Sequence, residues 1–474
     1  MLVAAAPAAA APVLEVHADR TVVRDDPYLP PHTAGDLPPP PGATPRAGTA
    51  GVRGRAARHR AVRKALRRAY ERGRISAEQR REWRRAERRA RRTRRALDGP
   101  RRDQLDAVID TLEEIAAERQ LSASRMPALF LQLERNTEYW PDRPYPASGQ
   151  RVQFAGSEMV LQHYPGQGLQ IQPLANFGKA NALWRAGREN RLRTLLDELV
   201  GIASRRGRFT TWEYWFDFGG GSPPWMSAMA HGTAIQALSR ASELLGERSY
   251  RRAARRGIRA FSTRAPRGVR VRGRDDGNHY LIYSFSRGLR VLNAFAQTLN
   301  GLYDYATITG HRRAMRLFEK GETSLRGELP SYDTGAWTLY SIGGAEATPE
   351  YHELATDFVS NLCDRLADPL YCDAAARFAG YVDAPPALEL LTSQLEEGNL
   401  QYVRFRLSKR PTVQLTISRD DQVVHSASGT FPYGTHGLAW TPEEPGDYVV
   451  TLAAESFNGT RGSASGTITV RAKP

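Results

Sequence analysis

The chain contains little cysteine: only Cys363 and Cys372 occur in its 474 residues. The two could pair with each other, but two cysteines exclude a disulfide framework, and no CxxC metal motif is present. A run of about 18 apolar residues is also missing, which excludes a membrane-spanning helix. The hydrophobic content of 41% is nevertheless sufficient for a core, and the length predicts two or three domains.

Common nucleotide and metal motifs are lacking as well. The stretch YPGQGLQIQP at 164–173 is not GxGxxG, and GGGSPPW at 219–225 lacks the GK[ST] ending of a P-loop. Glu350, His352 and Glu353 miss the HExxH spacing of a zinc site. We therefore expect no metal and no dinucleotide cofactor.

Positive charge is confined to one segment. Residues 51–102 hold 22 Lys and Arg against five acidic residues, a net charge of +17, whereas the whole chain carries +16. The segment 53–98 predicts two helices broken near Gly73, the second capped by Ser76 with Gln79 three residues on. Its arginines fit a solvated face or tether, a surface for an acidic glycan or cell-envelope polymer, or a nucleic-acid surface; export would argue against nucleic acid.

The N-terminal residues suggest export. Residues 1–18 are Ala-rich and apolar and end in a sequence like a signal-peptide cleavage site, Val16–His17–Ala18. They resemble the end of a secretory signal without its basic region. Residues 19–52 are rich in Pro, Gly and Ala and predict a linker. A disordered Ala/Pro tail is the alternative to a signal.

Helical periodicity dominates the rest of the chain up to residue 397. The basic helical region 53–139 ends in a third helix after Gly99, and short strands are expected at 140–176. Candidate helices follow at 178–204, 227–246, 248–262, 288–309, 311–328, 353–367 and 370–381. Aromatic-rich loops separate them at 208–226, 271–287 and 329–352. We interpret 140–397 as an α/α toroid, although a bundle or a solenoid would fit the same helix count.

After Gly398 the hydrophobic period changes from 3.6 to 2. Segments such as PTVQLTIS and DYVVTLAAES alternate apolar and polar residues between turn clusters. Residues 398–474 therefore predict a small β-sandwich of immunoglobulin-like size without a cysteine pair. The fold class is multidomain and mainly α, with this β domain at the end.

Tyrosine is the remaining chemical signal. Tyr283 lies in NHYLIYSFSRG, Tyr340 ends LPSYDTGAWTLY, and Tyr351 opens YHEL. Taken singly, each is more often a core or surface aromatic than a catalytic group, and Trp184, Trp225 and Trp337 suit either a core or sugar stacking.

Four motifs in order resemble the C-terminal catalytic domain of the D-glucuronyl C5-epimerases, enzymes of heparan sulfate and heparosan maturation. They are NFGKANALW (176–184), PPWMSAMAHGTAIQALSRA (223–241), YLIYSFSRGLRVLNAFAQTLNGLYDYA (280–306), and LPSYDTGAWTLY (329–340) with EYHEL (350–354). The resemblance covers roughly 140–370 and leaves 1–139 and the C-terminal sandwich outside.

The resemblance implies proton transfer at a sugar carbon. Inverting C-5 of glucuronate requires acid/base groups on opposite faces and cations for the carboxylate, but no redox cofactor. The family's tyrosines match Tyr283, Tyr340 and Tyr351, which we expect to be catalytic. Residues expected to bind substrate are Lys179, Asn181, Trp225, His231, Arg287, Arg290 and Asp333.

One position departs from the family pattern. Animal members place a glutamate before the tyrosine that matches Tyr283, whereas this sequence has Ile282. Either the tyrosines carry the chemistry alone, or the substrate or activity has changed. A uronate lyase and a non-catalytic glycan-binding protein remain alternatives to an exported epimerase. The expected partner is an acidic polysaccharide rather than nucleic acid. A homodimer is one option for the oligomeric state, which the sequence leaves open.

Overall fold

A computed structural model describes residues 11–30 and 52–473. Within these ranges the chain is mainly helical, with 12 α-helices and a strand-rich C-terminal region. It divides into two compact units. The first comprises residues up to Arg290 together with Gln297–Leu325, and the second comprises Val291–Ala296 and Arg326 onward. This division differs from the predicted domain boundary at 397, because the last helices share a unit with the strands.

The first unit contains a sheet that the sequence analysis did not predict in full. Its five strands are β1 (Ala11–Val16), β2 (Thr21–Asp26), β3 (Arg151–Phe154), β4 (Val160–Tyr164) and β5 (Gly168–Ile171), in the order β2-β1-β3-β4-β5. The short strands expected at 140–176 are confirmed. β1 and β2, however, lie where a signal-like segment and a linker were expected. Val13 is fully buried, and β1 pairs in parallel with β3, so removal after Ala18 would take a strand from the sheet. Linker residues 31–51 lie outside the described residues.

The basic segment forms the two predicted helices. Helices α1 (Val52–Glu71) and α2 (Ala77–Ala96) are followed by α3 (Gly99–Ala117) and α4 (Met126–Tyr139). Ser76 and Gln79 form the predicted capping box at the start of α2. One face of α2 buries Trp83, whose ring stacks on Phe130 of α4 at 5.2 Å. The arginines of α2 are exposed or partly exposed, whereas Trp83, Ala86, Glu87 and Ala90 form its buried face.

The helices between residues 173 and 328 follow the predicted segments. They are α5 (Pro173–Arg185), α6 (Glu189–Gly201), α7 (Ala228–Leu245), α8 (Arg248–Gly257), α9 (Leu292–Thr309) and α10 (Arg312–Glu328), with short hairpins β6 (Ser204–Arg206)/β7 (Phe209–Thr211) and β8 (Arg270–Arg272)/β9 (Asn278–Tyr280). The helix predicted over 178–204 is two helices, because Gly187 adopts a left-handed φ of 63° between them. Helices α7 and α9 approach closely at Gly232 and Gly301, where a Cβ on Gly301 would lie 2.3 Å from the Gly232 carbonyl oxygen.

The second unit begins with two helices joined covalently. Helices α11 (Pro349–Leu366) and α12 (Pro369–Asp383) follow the aromatic loop, and a disulfide joins Cys363 to Cys372 across their connection. The Asp368 carboxylate accepts the backbone N–H of Leu370 and caps α12. The cysteine pairing that the sequence left open is therefore present.

Two antiparallel-rich sheets complete the second unit. The strands are β10 (Leu388–Leu390), β11 (Gln394–Glu396), β12 (Gln401–Leu407), β13 (Thr412–Arg419), β14 (Gln422–Thr430), β15 (Gly434–Trp440), β16 (Gly446–Glu455) and β17 (Arg461–Arg471). One sheet has the order β10-β12-β15 and the other β11-β17-β16-β13-β14. The alternating residues Phe405, Leu415, Val450 and Ile468 are fully buried in one cluster, which confirms the period-2 prediction. Strand structure begins at Leu388, before the predicted start at 398.

Candidate active site

The structure brings two of the predicted tyrosines into direct contact. The rings of Tyr340 and Tyr351 pack edge to face with centroids 5.1 Å apart. Tyr340 ends the aromatic loop, where its N–H donates to Ala345 and its carbonyl accepts from Leu292. Tyr351 lies in the first turn of α11. Both side chains are largely buried, at 8% and 4% exposure, so the pair is a fixed element of the second unit.

A stacked Trp–His pair holds the loop between these tyrosines. Trp337 stacks on His352 at 3.7 Å, and its indole N–H donates to the Ala347 carbonyl at 2.8 Å. The two ring nitrogens of His352 contact the Thr338 hydroxyl and the Phe378 carbonyl, each at 2.8 Å. Burial lowers the pKa of His352 to about 4, so the imidazole is neutral near pH 7. His352 therefore supports the loop rather than serving as a free ligand.

Asp333 organises the turn at the start of the same loop. Its carboxylate accepts the Gly335 N–H at 2.9 Å and the Tyr381 hydroxyl at 2.8 Å, and lies 3.4 Å from Arg377. These contacts use most of its acceptor capacity. The structure therefore gives Asp333 a turn-forming role, and its expected contact with substrate stays a prediction.

Tyr283 lies in an aromatic cluster of the first unit. Its ring is 5.6 Å from Trp225, 5.5 Å from Phe285 and 5.4 Å from Phe218. Trp225 in turn stacks on Tyr214 at 4.1 Å, and its N–H donates to the Phe216 carbonyl. A small cavity of about 20 Å³ borders Tyr283, Trp225 and Ile282, enough for about one water molecule. The structure thus places the predicted pair Tyr283 and Trp225 together.

Apart from Trp225, the aromatic residues around Tyr283 were not predicted as site residues. Tyr214, Phe216 and Phe218 lie in the stretch WEYWFDFGG at 212–220, whose aromatic density was noted only as a loop. Phe285 follows two residues after Tyr283, within a motif that the sequence analysis quoted. Counting aromatic residues in 212–218 would have singled out these rings.

Lys179 belongs to a buried ion cluster. Its side chain is fully buried, and the ammonium lies 3.0 Å from Asp26 and 2.9 Å from Glu158. Arg191 contacts the same two carboxylates at 3.4 and 2.7 Å. Burial acts to raise the pKa of Asp26, but Lys179 and Arg191 outweigh it and hold that pKa below its ordinary value. Since its charge is satisfied inside the fold, we leave Lys179 out of the proposed site.

Asn181 and His231 are also engaged within the first unit. The Asn181 amide accepts from Arg240 at 2.8 Å and donates to Gln236 at 3.1 Å. His231 is 2% exposed, and its Nε2 lies 3.0 Å from the Gly257 carbonyl. Burial lowers the pKa of His231 to about 4, so it is not a cation near neutral pH. Neither residue presents a free group for an anion.

The two expected arginines differ in exposure. Arg287 lies four residues after Tyr283 in the chain and is exposed. Its guanidinium donates to the Ala265 carbonyl at 2.8 Å. Arg290 is partly buried and donates to the Arg272 carbonyl at 3.0 Å. Arg287 is therefore the more accessible of the two cations that follow Tyr283.

Potential metal ligands gather in one place within the described ranges. His59, Glu87 and Glu113, on α1, α2 and α3, offer ligand atoms within 4.8 Å of one another. His59 lies 2.6 Å from Glu87, and Arg91 pairs with both Glu87 and Glu113. Burial raises the pKa of Glu113 to about 7. With a guanidinium already inside it, the group is best described as an ion-pair network.

In the same described ranges, none of the helices has an apolar stretch long enough to cross a membrane.

Comparison with known proteins connects these residues to one family. Residues 206–380 match the family model "D-glucuronyl C5-epimerase C-terminus". A Caenorhabditis elegans D-glucuronyl C5-epimerase is 31% identical over 179 residues, covering 34% of this chain and 29% of that protein. An uncharacterized protein of Methanocaldococcus jannaschii is 27% identical over 180 residues, covering 37% of this chain and 58% of that protein. The matched segment includes Tyr283, Tyr340 and Tyr351, and it spans less than two thirds of either relative.

Solved structures give weaker similarities. A sugar epimerase from a ruminal bacterium matches with a TM-score of 0.32 and 13% identity, covering 44% of this chain and 58% of that chain. A β-arabinofuranosidase matches with a TM-score of 0.29 and 10% identity, covering 87% of this chain and 92% of that chain. Both scores are too low to support an argument about fold or activity.

Proposed function

We propose that this protein inverts C-5 of D-glucuronyl residues within an acidic polysaccharide, converting glucuronate to iduronate. The match of residues 206–380 to the C-terminal domain of the D-glucuronyl C5-epimerases supports this proposal. The observation that carries the proposal is the direct contact between Tyr340 and Tyr351 inside the matched segment. The α/α toroid expected for the family is part of the proposal.

The chemistry needs a base and an acid at one carbon. The C-5 proton lies α to the uronate carboxylate, so a tyrosinate oxygen that removes it leaves electron density delocalised into that carboxylate. A tyrosine hydroxyl on the opposite face then returns a proton to C-5, and no electrons leave the sugar. Such groups contribute roughly 10²- to 10⁴-fold each. Tyr340 and Tyr351 are the proposed acid/base residues, with Tyr283 as the third tyrosine of the set.

A cation should assist this transfer. Tyrosine has an ordinary pKa of about 10, and a nearby positive charge favours its ionised form. Arg287 is exposed and follows Tyr283 in the same segment, which makes it the proposed carboxylate-binding residue. Because this chain has Ile282 where animal members place glutamate, the tyrosines carry the proton transfer in this proposal.

Export remains a proposal with one supporting observation. The disulfide between Cys363 and Cys372 is a bond that forms and persists in oxidising compartments. An extracellular or cell-envelope site would also bring the protein to polysaccharides that lie outside the cytoplasm.

Deuterium exchange tests the function directly. The protein is incubated with heparosan-type and other glucuronate polymers in deuterated water without added cofactor, and NMR follows the C-5 position. We expect deuterium at C-5 and the appearance of iduronate signals. Absorbance from an unsaturated uronate would instead indicate a lyase. If no polymer of a broad panel takes up deuterium, the epimerase proposal fails.

A further inference from the structure

A large cleft lies within the second unit, next to the loop that carries the tyrosine pair. Its volume is about 900 Å³, within the range of roughly 300–1,000 Å³ typical of ligand sites. The lining comes from four stretches of chain: the loop 329–352 with the start of α11, the β12–β13 connection with the start of β13, the end of β14, and strands β16 and β17 with their turn. Among the lining residues are Trp337, Glu346, Lys409, Arg410, Ser456 and Phe457.

The floor of this cleft is fixed by buried polar groups. The Glu346 carboxylate accepts the backbone N–H of Arg410 at 3.0 Å and that of Tyr433 at 2.8 Å. Lys409 is 2% exposed, and its ammonium donates to the carbonyl of Tyr381 at 2.6 Å and to that of Ala384. These contacts join the aromatic loop and the end of α12 to the β-sheets. The cleft is therefore pre-formed rather than a gap between loosely placed segments.

An aromatic ring stands exposed at the edge of the cleft. Phe457 is 56% exposed in the turn between β16 and β17. Its ring packs edge to face against Trp337 at 5.5 Å, and Trp337 is itself held by its stack on His352. Apolar rings that are rigidly backed and open on one side suit the C–H face of a sugar. Exposing such a ring would otherwise be a cost to solubility.

Polar groups of the lining are available to a ligand. Arg410 is exposed, and its guanidinium makes no ion pair within the ranges that the structure describes. The Ser456 hydroxyl is buried, on a residue 5% exposed, and finds no hydrogen-bond partner among the described residues. Arg461 is different, because it pairs with Glu455 at 2.9 Å. The cleft thus offers one free guanidinium and one unsatisfied hydroxyl beside an aromatic ring.

We propose that this cleft binds an acidic oligosaccharide, with Phe457 stacking on a sugar ring and Arg410 holding a uronate carboxylate. Arginine pairs with carboxylates through two parallel hydrogen bonds, which makes it specific for this group. Pro349 lines the cleft and lies two residues before Tyr351, so the cleft borders the segment that carries the tyrosine pair. The inference rests on the proposed function, since it assigns the C-terminal strands to holding the same polymer outside the reacting residue.

Oligosaccharide binding to the full chain tests this inference. Calorimetric titration with glucuronate-containing oligosaccharides of defined length compares wild type with Phe457→Ala and Arg410→Ala. We expect each substitution to weaken binding at least tenfold, and carboxyl-reduced oligosaccharides to bind wild type about as weakly as intact ones bind Arg410→Ala. Tyr402→Ala and Arg404→Ala are matched controls, because both residues are exposed on β12 outside the cleft lining, and they should bind like wild type.

The outcomes separate this inference from the proposed function. If wild type exchanges the C-5 hydrogen but Phe457→Ala and Arg410→Ala bind as tightly as the controls, the cleft assignment is wrong and the epimerase proposal stands. If both variants lose binding while wild type shows no exchange, the cleft assignment stands and the epimerase proposal fails. Equal loss in all four variants would also overturn the assignment, because it would indicate general charge or surface effects.

Discussion

Tyr340 and Tyr351 contact each other edge to face with ring centroids 5.1 Å apart, although ten residues of loop and helix lie between them in the chain. The same loop is held against α11 by the Trp337–His352 stack and by the hydrogen bond from the Trp337 indole to the Ala347 carbonyl. In the proposed reaction one of these tyrosines removes the C-5 proton and the other delivers a different proton to the opposite face of C-5. This relationship is the basis of the first prediction.

Tyr340→Phe and Tyr351→Phe should each lower turnover by about 10²- to 10⁴-fold, with a nearly unchanged melting temperature. Each substitution removes one hydroxyl and keeps the ring packing, so chemistry is affected more than folding. Steady-state epimerisation and thermal unfolding are measured together. Tyr250→Phe is the control: it removes a hydroxyl bonded to Asp197 at 2.7 Å and should lower stability while activity is kept. Tyr340 and Tyr351 variants that behave like this control would contradict a catalytic role.

Much of the architecture could be predicted because its signals are local. The Ser76–Gln79 capping box and the period-2 pattern of the C-terminal strands depend on neighbouring residues, and both appear as expected. Lys179 was assigned to substrate because the sequence does not show its partner Asp26, which lies far away in the chain. Strand β1 was missed for a related reason, since its parallel partner β3 follows only at Arg151. Strand β2 joins the sheet at its edge, through β1.

Replacing Lys179 with methionine should destabilise the protein by about 3–5 kcal/mol, because Asp26 and Glu158 would be left as poorly compensated carboxylates. Chemical denaturation measures the free energy of unfolding. Arg191→Met is the matched control and should lower the free energy of unfolding by less. The Arg191 side chain is 33% exposed, and this substitution leaves Lys179 in place beside the two carboxylates. A Lys179→Met protein of normal stability that no longer binds polymer would instead restore its predicted substrate role.

Acid should weaken the fold through its buried histidines. His352 and His231 have pKa values lowered to about 4 in the fold, whereas an unfolded histidine titrates near 6.5. The unfolded state therefore binds more protons than the folded state in this range. The two histidines thus lower the free energy of unfolding as pH falls from about 6.5 toward 4. Glu113, with its pKa raised to about 7, acts in the opposite direction. The slope of the free energy of unfolding against pH is therefore a sum of opposing contributions and does not isolate the histidines.

A variant isolates the histidine contribution. The free energy of unfolding is measured against pH for wild type and for His352→Gln. The difference between the two curves should change by up to about 1.4 kcal/mol per pH unit between pH 6 and 4.5, the value for one proton. Parallel curves over this range would show that His352 titrates normally in the fold.

Reduction of the disulfide should lower stability by about 2–3 kcal/mol, given the nine-residue separation of its cysteines. Thermal unfolding with and without dithiothreitol measures the effect. The double variant Cys363→Ser/Cys372→Ser is the control and should be insensitive to the reductant. An equal response of both proteins would show that the effect does not come from this bond.

Deuterium uptake at C-5 tests the central claim most directly. Wild type and the double variant Tyr340→Phe/Tyr351→Phe are incubated with a glucuronate polymer in deuterated water, and NMR quantifies deuterium at C-5 and the fraction of iduronate. Wild type should incorporate deuterium into both epimers without a cofactor, and the folded double variant should incorporate none above background. Uptake by the double variant at the wild-type rate would contradict the assignment of proton transfer to this tyrosine pair.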